Sequence, residues 1–136
     1  MTSRSVELLE EIRAALDTLE PLLLGRTVDI EMSRVRVLAD PMPFRRVFAA
    51  CISFALGRSE PSDAITVRVT RTGKAARIEV IIEGAHVARD DLPDLATAEE
   101  EFRAMGGEIG TAGPVGDVMC WMTLPVAPGA SSAADA

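Results

Sequence analysis

The side chains best suited to chemistry are few. His86 is the only histidine, Cys51 and Cys120 are the only cysteines, Trp121 is the only tryptophan, and tyrosine is absent. To carry a phosphoryl group, a histidine needs an exposed helical setting and a kinase or receiver to serve it. His86 instead follows an expected strand, in a loop, and reads as an ordinary surface histidine. Cys51 and Cys120 each lie in an apolar run, without an adjacent histidine or basic cluster. Reactive thiolates need such company, so both read as reduced, inert core thiols and not as a disulfide framework. Gly110, Gly113 and Gly116 have the regular spacing of a phosphate cradle, but no helix follows to aim its N-terminus at an anion, so a hairpin turn is expected. The acids Asp90, Asp91, Asp94, Glu99, Glu100 and Glu101 could dock a basic surface, but a solvated helix face is the usual explanation for such a run. No catalytic residue and no metal ligand is expected.

Composition narrows the function further. The 136 residues, 48% of them hydrophobic, suffice for one domain with a full core and not for two. Basic residues number 14 against 21 acidic, for a net charge of −7. Such a chain is a poor nucleic-acid binder, because phosphate binding rests on clustered cations. The longest uncharged apolar runs, such as Val47 to Leu56, fall well short of the roughly 20 residues that span a bilayer. Glu7, Glu10 and Glu11 stand where a signal peptide would be basic and then uncharged. A cytoplasmic protein without membrane or nucleic-acid partners is expected.

Periodicity supplies the elements that must position any site. Leu8, Leu9, Ile12, Ala15, Leu16 and Leu19 recur at helical spacing, which predicts a helix over Ser5 to Leu24 closed by Pro21 and Gly25-Arg26. Val28, Ile30 and Met32 alternate with Asp29 and Glu31 as in a half-buried strand, and Val35, Val37 and Leu38 form a second strand ending at Asp40. Asp40-Pro41 pairs a capping acceptor with proline at the first helical position. The helix it opens carries a stripe of Phe44, Val47, Phe48, Cys51, Ile52 and Ala55 and ends near Gly57. Ile65 to Thr70 and Ala76 to Ile82 alternate as strands about Thr72-Gly73-Lys74, a β-hairpin. After an irregular Gly84 to Pro93, a helix is expected over Asp94 to Met105, capped by Gly106-Gly107. Strands over Glu108 to Ala112 and Val118 to Val126 follow, about a Gly113 to Asp117 turn. The expected architecture is α+β: a two-layer sandwich, with a mixed, mostly antiparallel sheet covered on one face by helices. One domain over residues 1–127 and a disordered tail over 128–136 are expected.

This order, with particular words inside it, resembles the ATP-binding domain of sensor histidine kinases, the Bergerat-type fold shared with gyrase and Hsp90-type chaperones. The stretch Val37-Leu38-Ala39-Asp40-Pro41, then Arg45-Arg46-Val47 and Ser53-Phe54-Ala55-Leu56, looks like the segment leading into the family's asparagine-bearing helix. Ala64 to Val69 and Arg77 to Val80 resemble the two following strands. Ala104-Met105-Gly106-Gly107-Glu108-Ile109 and Met122-Thr123-Leu124-Pro125 resemble the last helix end and final strand. The resemblance covers roughly residues 5–126.

The positions that would hold nucleotide depart from the family's pattern. Where it places asparagines reaching magnesium and phosphate, this chain has Ala50 and Phe54, neither able to ligate a cation that demands oxygen. Where the first glycine box has an aspartate for the adenine amino group, this chain has Ile82, and His86 replaces the box's second glycine. Gly84 alone matches. Between Val87 and Met105 only 17 residues remain (88–104), rich in acid and without glycine, so the second glycine box and lid are missing. Ala50, Phe54 and Ile82 either fill the vacated cavity with core or line a converted pocket for an apolar ligand, and close packing favours the first. The resemblance therefore implies a fold kept and an ATP site lost, with no cofactor.

The expected function is a non-catalytic regulatory module of bacterial two-component signalling that binds a histidine kinase or a response-regulator receiver, with homodimerisation also open. About 24 residues precede the first expected strand, too few for a phosphoacceptor helical hairpin. Two alternatives are an ATP-binding kinase subunit with unusual ligands (a split histidine kinase or an anti-sigma-factor kinase) and a receiver-docking domain akin to that of some histidine phosphotransferases.

Overall fold

The computed structural model describes residues 3–23, 25–57, 60, 63–82, 96–111 and 118–128. In chain order the elements are β1 (Arg4–Glu7), α1 (Leu8–Leu23), β2 (Val28–Glu31), β3 (Arg36–Ala39), α2 (Pro41–Gly57), β4 (Ile65–Thr72), β5 (Ala75–Ile81), α3 (Ala96–Ala104), β6 (Glu108–Thr111) and β7 (Val118–Pro125). Five strands form one mixed sheet in the order β2-β4-β5-β7-β6, and β1 pairs with β3 in a second, two-stranded sheet. Only β2 and β4 run parallel; β4-β5, β5-β7 and β6-β7 are antiparallel. This is the expected α+β sandwich, an open sheet with helices on one face.

Alternation decides which face is covered. Ile65 and Val67 on β4, Ala76, Ile78 and Val80 on β5, and Cys120, Met122 and Leu124 on β7 are all buried. Arg68, Arg77, Glu79 and Trp121 occupy the other face, where the Arg77 guanidinium lies 4.5 Å from the centre of the Trp121 ring. Against the buried face α1 lays Leu8, Ile12, Ala15, Leu19 and Leu23, and α2 lays the whole stripe read from its sequence. Phe44 packs on Phe48 at 5.9 Å and on Phe102 of α3 at 6.4 Å, tying the two helices together.

Helix ends follow their local chemistry. The Asp40 carboxylate accepts the Met42 N–H at 3.3 Å, capping α2 with Pro41 inside its first turn. At the end of α3 the Gly107 N–H donates to the Phe102 carbonyl at 2.7 Å and the Gly106 N–H to that of Arg103 at 3.0 Å. With Gly106 at φ 85°, this is a Schellman termination. The turn brings Met105 back to Asp40, whose N–H lies 3.2 Å from the Met105 sulfur.

Two expectations change. The first helix begins at Leu8, not Ser5, because Arg4–Glu7 pair with β3 in register Val6 to Val37. Nor does Pro21 close α1, which continues to Leu23. A proline in the last turn forfeits one backbone bond, whereas burying Leu23 continues the apolar stripe. Gly25, at φ 78°, makes the stop. The irregular Gly84 to Pro93 segment, the Gly113 to Asp117 turn and the tail beyond Pro128 lie outside the described residues.

Gly107 gives a test of this packing. A Cβ there would stand 2.0 Å from the Thr123 carbonyl oxygen, and nothing lies within 4 Å of one at Gly57. Gly107→Ala is expected to cost about 2–4 kcal/mol in urea denaturation and Gly57→Ala to stay within about 0.5 kcal/mol.

Candidate functional site

α2 is the element that would present phosphate and metal ligands in the fold the sequence resembles. Its buried stripe fixes its rotation, and Ala50 and Phe54, one turn apart, fall on a flank of that stripe. Ala50 is exposed, while Phe54 is half-buried and packs against the core. Ile82, at the end of β5, is fully buried within the core cluster. The three sequence-predicted positions thus have different settings: Ile82 is core, Phe54 sits at its boundary and Ala50 faces solvent. Gly84, His86 and the acidic run up to Asp94 lie outside the described residues.

Ion pairs hold α2 to its neighbours near this flank. Arg45 Nε donates to Glu11 of α1 at 2.8 Å, and Arg46 pairs with Glu101 of α3. The arginines are largely exposed, so each pair contributes about 0–1 kcal/mol. Orientation of the helix rests instead on the buried stripe. Glu101 therefore has a partner within the domain, which spends part of the acidic run on structure.

The two thiols meet across the α2–β7 interface. Cys120 is wholly buried, and its sulfur lies 3.9 Å from the Cys51 carbonyl oxygen. Its hydrogen bond with Cys51, followed by burial and the neighbouring sulfur's charge, pushes the Cys120 thiol far above the ordinary range. A group held in its thiol form is a poor nucleophile. Among the described residues, no cluster of three or more histidine, cysteine or acidic side chains could hold a metal ion, and no helix is long and apolar enough to cross a membrane.

Sequence reasoning missed a cleft at the opposite end of the sheet. It lies between the β2–β3 loop and the β4–β5 turn, and is lined by Ser33, Arg34, Val35, Val69, Thr70, Arg71 and Gly73. No local motif marks it, because its two arginines are 37 positions apart in the chain.

No family model matches the sequence, and no curated protein matches it. Solved structures do match in fold. The mycobacterial sensor histidine kinase MprB superposes with a TM-score of 0.76 at 16% identity, over 93% of this chain and 99% of that one. Full-length ShkA in complex with AMPPNP gives a TM-score of 0.72 at 20% identity, over 93% of this chain and 32% of that one. The histidine kinase ThkA in complex with the response regulator TrrA gives 0.72 at 16%, over 93% and 42%. The chain has the fold of histidine-kinase catalytic domains.

The thiol geometry predicts that neither cysteine reacts with a thiol-specific disulfide reagent in the native protein between pH 7 and 9. Both should react at once in denaturant; titration of either thiol in the folded state, followed by released chromophore, would contradict the packing described.

Proposed function

We propose that this domain is a regulatory module of two-component signalling that keeps the histidine-kinase catalytic fold, has lost ATP binding, and acts by docking a histidine kinase or a response-regulator receiver. The observation that carries this reading is the chemistry of three positions. Ala50, Phe54 and Ile82 offer a methyl, a phenyl ring and a buried aliphatic chain where magnesium, phosphate and the adenine amino group would need oxygen or nitrogen partners. Burial of Ile82 in the core leaves it no polar role, and Phe54 packs against that core.

The partner class is supported by fold. ThkA, of the same fold, has been solved with the response regulator TrrA. A domain without phosphoryl chemistry that keeps such surfaces would act by occupancy: it holds a receiver or kinase surface and denies it to a competitor. Receiver docking of the kind carried by the second domain of some histidine phosphotransferases is the same physical activity, and belongs to this proposal.

The competing reading, an ATP-binding kinase subunit with unusual ligands, draws on ShkA, whose structure of the same fold contains AMPPNP. Thermal unfolding in the presence of magnesium and ATP separates the two. A ligand that binds only the native state stabilises it by about 2.7 kcal/mol at a hundredfold excess over Kd, with a Tm that climbs with concentration. The proposal expects no such climb up to about 5 mM ATP with magnesium. A saturable rise that disappears in Phe54→Asp, which adds charge repulsion at the α2 flank, would establish the ATP-binding reading instead.

A further inference from the structure

The only tryptophan of the chain, Trp121, lies beside the open edge of the main sheet. We infer that the cleft between β6 and the last turn of α3 is a docking site for a basic, extended segment of a partner protein. The segment adds to β6 as a further strand and sets its cationic side chains against Glu99 and Glu108. This goes beyond the proposed function and does not rest on it.

Topology creates the site. β6 ends the strand order β2-β4-β5-β7-β6, so among the described residues it has a strand partner, β7, on one side only. Such an edge presents a row of backbone N–H and C=O groups ready to pair with another chain. The Gly106-Gly107 turn carries α3 straight into β6 and leaves a cleft of about 480 Å³ beside it, lined also by Glu99, Arg103, Glu108, Ile109 and Trp121. Trp121 reaches this cleft because its register partner on β6 is Gly110. A Cβ on Gly110 would stand 2.5 Å from the indole Cζ2 and 2.7 Å from Nε1. With no side chain in the way, the indole lies across β6.

Charge selects the occupant. Glu99 and Glu108 are exposed, and among the described residues neither carboxylate has an ion-pair partner. The one cation lining the cleft among those residues, Arg103, sits in the last turn of α3, where the negative end of the helix offsets it. Arg77 lies 4.5 Å from the centre of the indole but pairs with Glu79 at 3.4 Å, so it adds no net charge. The remaining field is negative, on a chain whose net charge is −7. A second copy of this domain would bring the same carboxylates to both sides of the pairing, and like charges there repel. Arginine or lysine side chains instead meet two carboxylates and an aromatic wall that attracts cations. An extended segment suits the edge, because strand addition draws affinity from main-chain hydrogen bonds and specificity from alternate side chains.

The test uses the full chain and a labelled peptide of alternating arginine and valine, followed by anisotropy and by the intrinsic fluorescence of Trp121. The expected result is saturable binding with Kd at or below about 0.5 mM, with a change in Trp121 emission over the same concentrations. Glu99→Gln and Glu108→Gln should each weaken binding about threefold, and together about tenfold. Glu20→Gln, on α1, should leave it unchanged. A peptide with proline in place of valine keeps the charge but loses main-chain donors, and should bind about tenfold more weakly or worse. Absence of saturable binding, binding without a tryptophan response, or equal binding of the proline peptide overturns the site. So does equal weakening by Glu20→Gln, which would leave only general attraction to an acidic domain. The ATP experiment reads α2 and this one reads β6, so failure of either leaves the other standing.

Discussion

The fold depends on one helix having almost all of its apolar surface spoken for. α2 buries Pro43, Phe44, Val47, Phe48, Cys51, Ile52 and Ala55, facing the sheet through β5 and β7 and the other helices at its sides. Phe44 stacks on Phe48 and reaches Phe102 of α3, while Asp40, at the cap of α2, receives the returning chain at Met105. Aromatic pairs of this kind add about 0.5–1.5 kcal/mol each beyond the area they bury, against about 0–1 kcal/mol for each exposed ion pair at the same interfaces. The apolar contacts therefore set the rotation of α2, and the charges trim it.

That division would let this fold persist without nucleotide chemistry, as the proposed function requires. The residues that fix α2 are those at the stripe, and the residues at its flank contribute little to holding it. Ala50, exposed, can carry any side chain without disturbing Phe48 or Ile52, whereas Phe54 turns inward far enough to add apolar contact. A ligand-bearing flank is under no packing constraint to stay polar once its ligand is gone. Ile82, one residue past β5, extends the core already buried through Ile78 and Val80.

What could be read from the sequence follows from the length of each signal. The β4–β5 hairpin and the α2 stripe span several repeats of their periods, so alternation or helical spacing identifies them without help. β1 has one buried residue, Val6, in four, and runs without a break into α1. A single apolar position specifies no period, so the helical spacing of Leu8 and Ile12 extends falsely backward over it. Pro21 misleads for a related reason: its local penalty is legible, while the buried position of Leu23 that outweighs it is a tertiary fact. The elements carrying Ala50, Phe54 and Ile82 were legible through the order of the words around them, since those words fix α2 and β5. Their separate settings, from exposed Ala50 to buried Ile82, were not, because neighbours distant in the chain decide exposure.

The β4–β5 hairpin also sets how the two ends of the molecule relate. From Ala75 to Ile81 the strand spans roughly 20 Å at about 3.3 Å per residue, so the turn at Gly73 and the Ile82 end occupy opposite poles. Beyond roughly 10 Å, exposed charges are largely screened at moderate salt, and the intervening Ile78 and Val80 are wholly buried core with no polar relay. Change at one pole is therefore nearly invisible at the other. The apolar side chains beside α2 therefore place no electrostatic constraint on the arginines at the hairpin turn. Those arginines are also not required by the core, since Arg34 and Arg71 are exposed side chains at the ends of elements whose packing rests on Val35 and Val69.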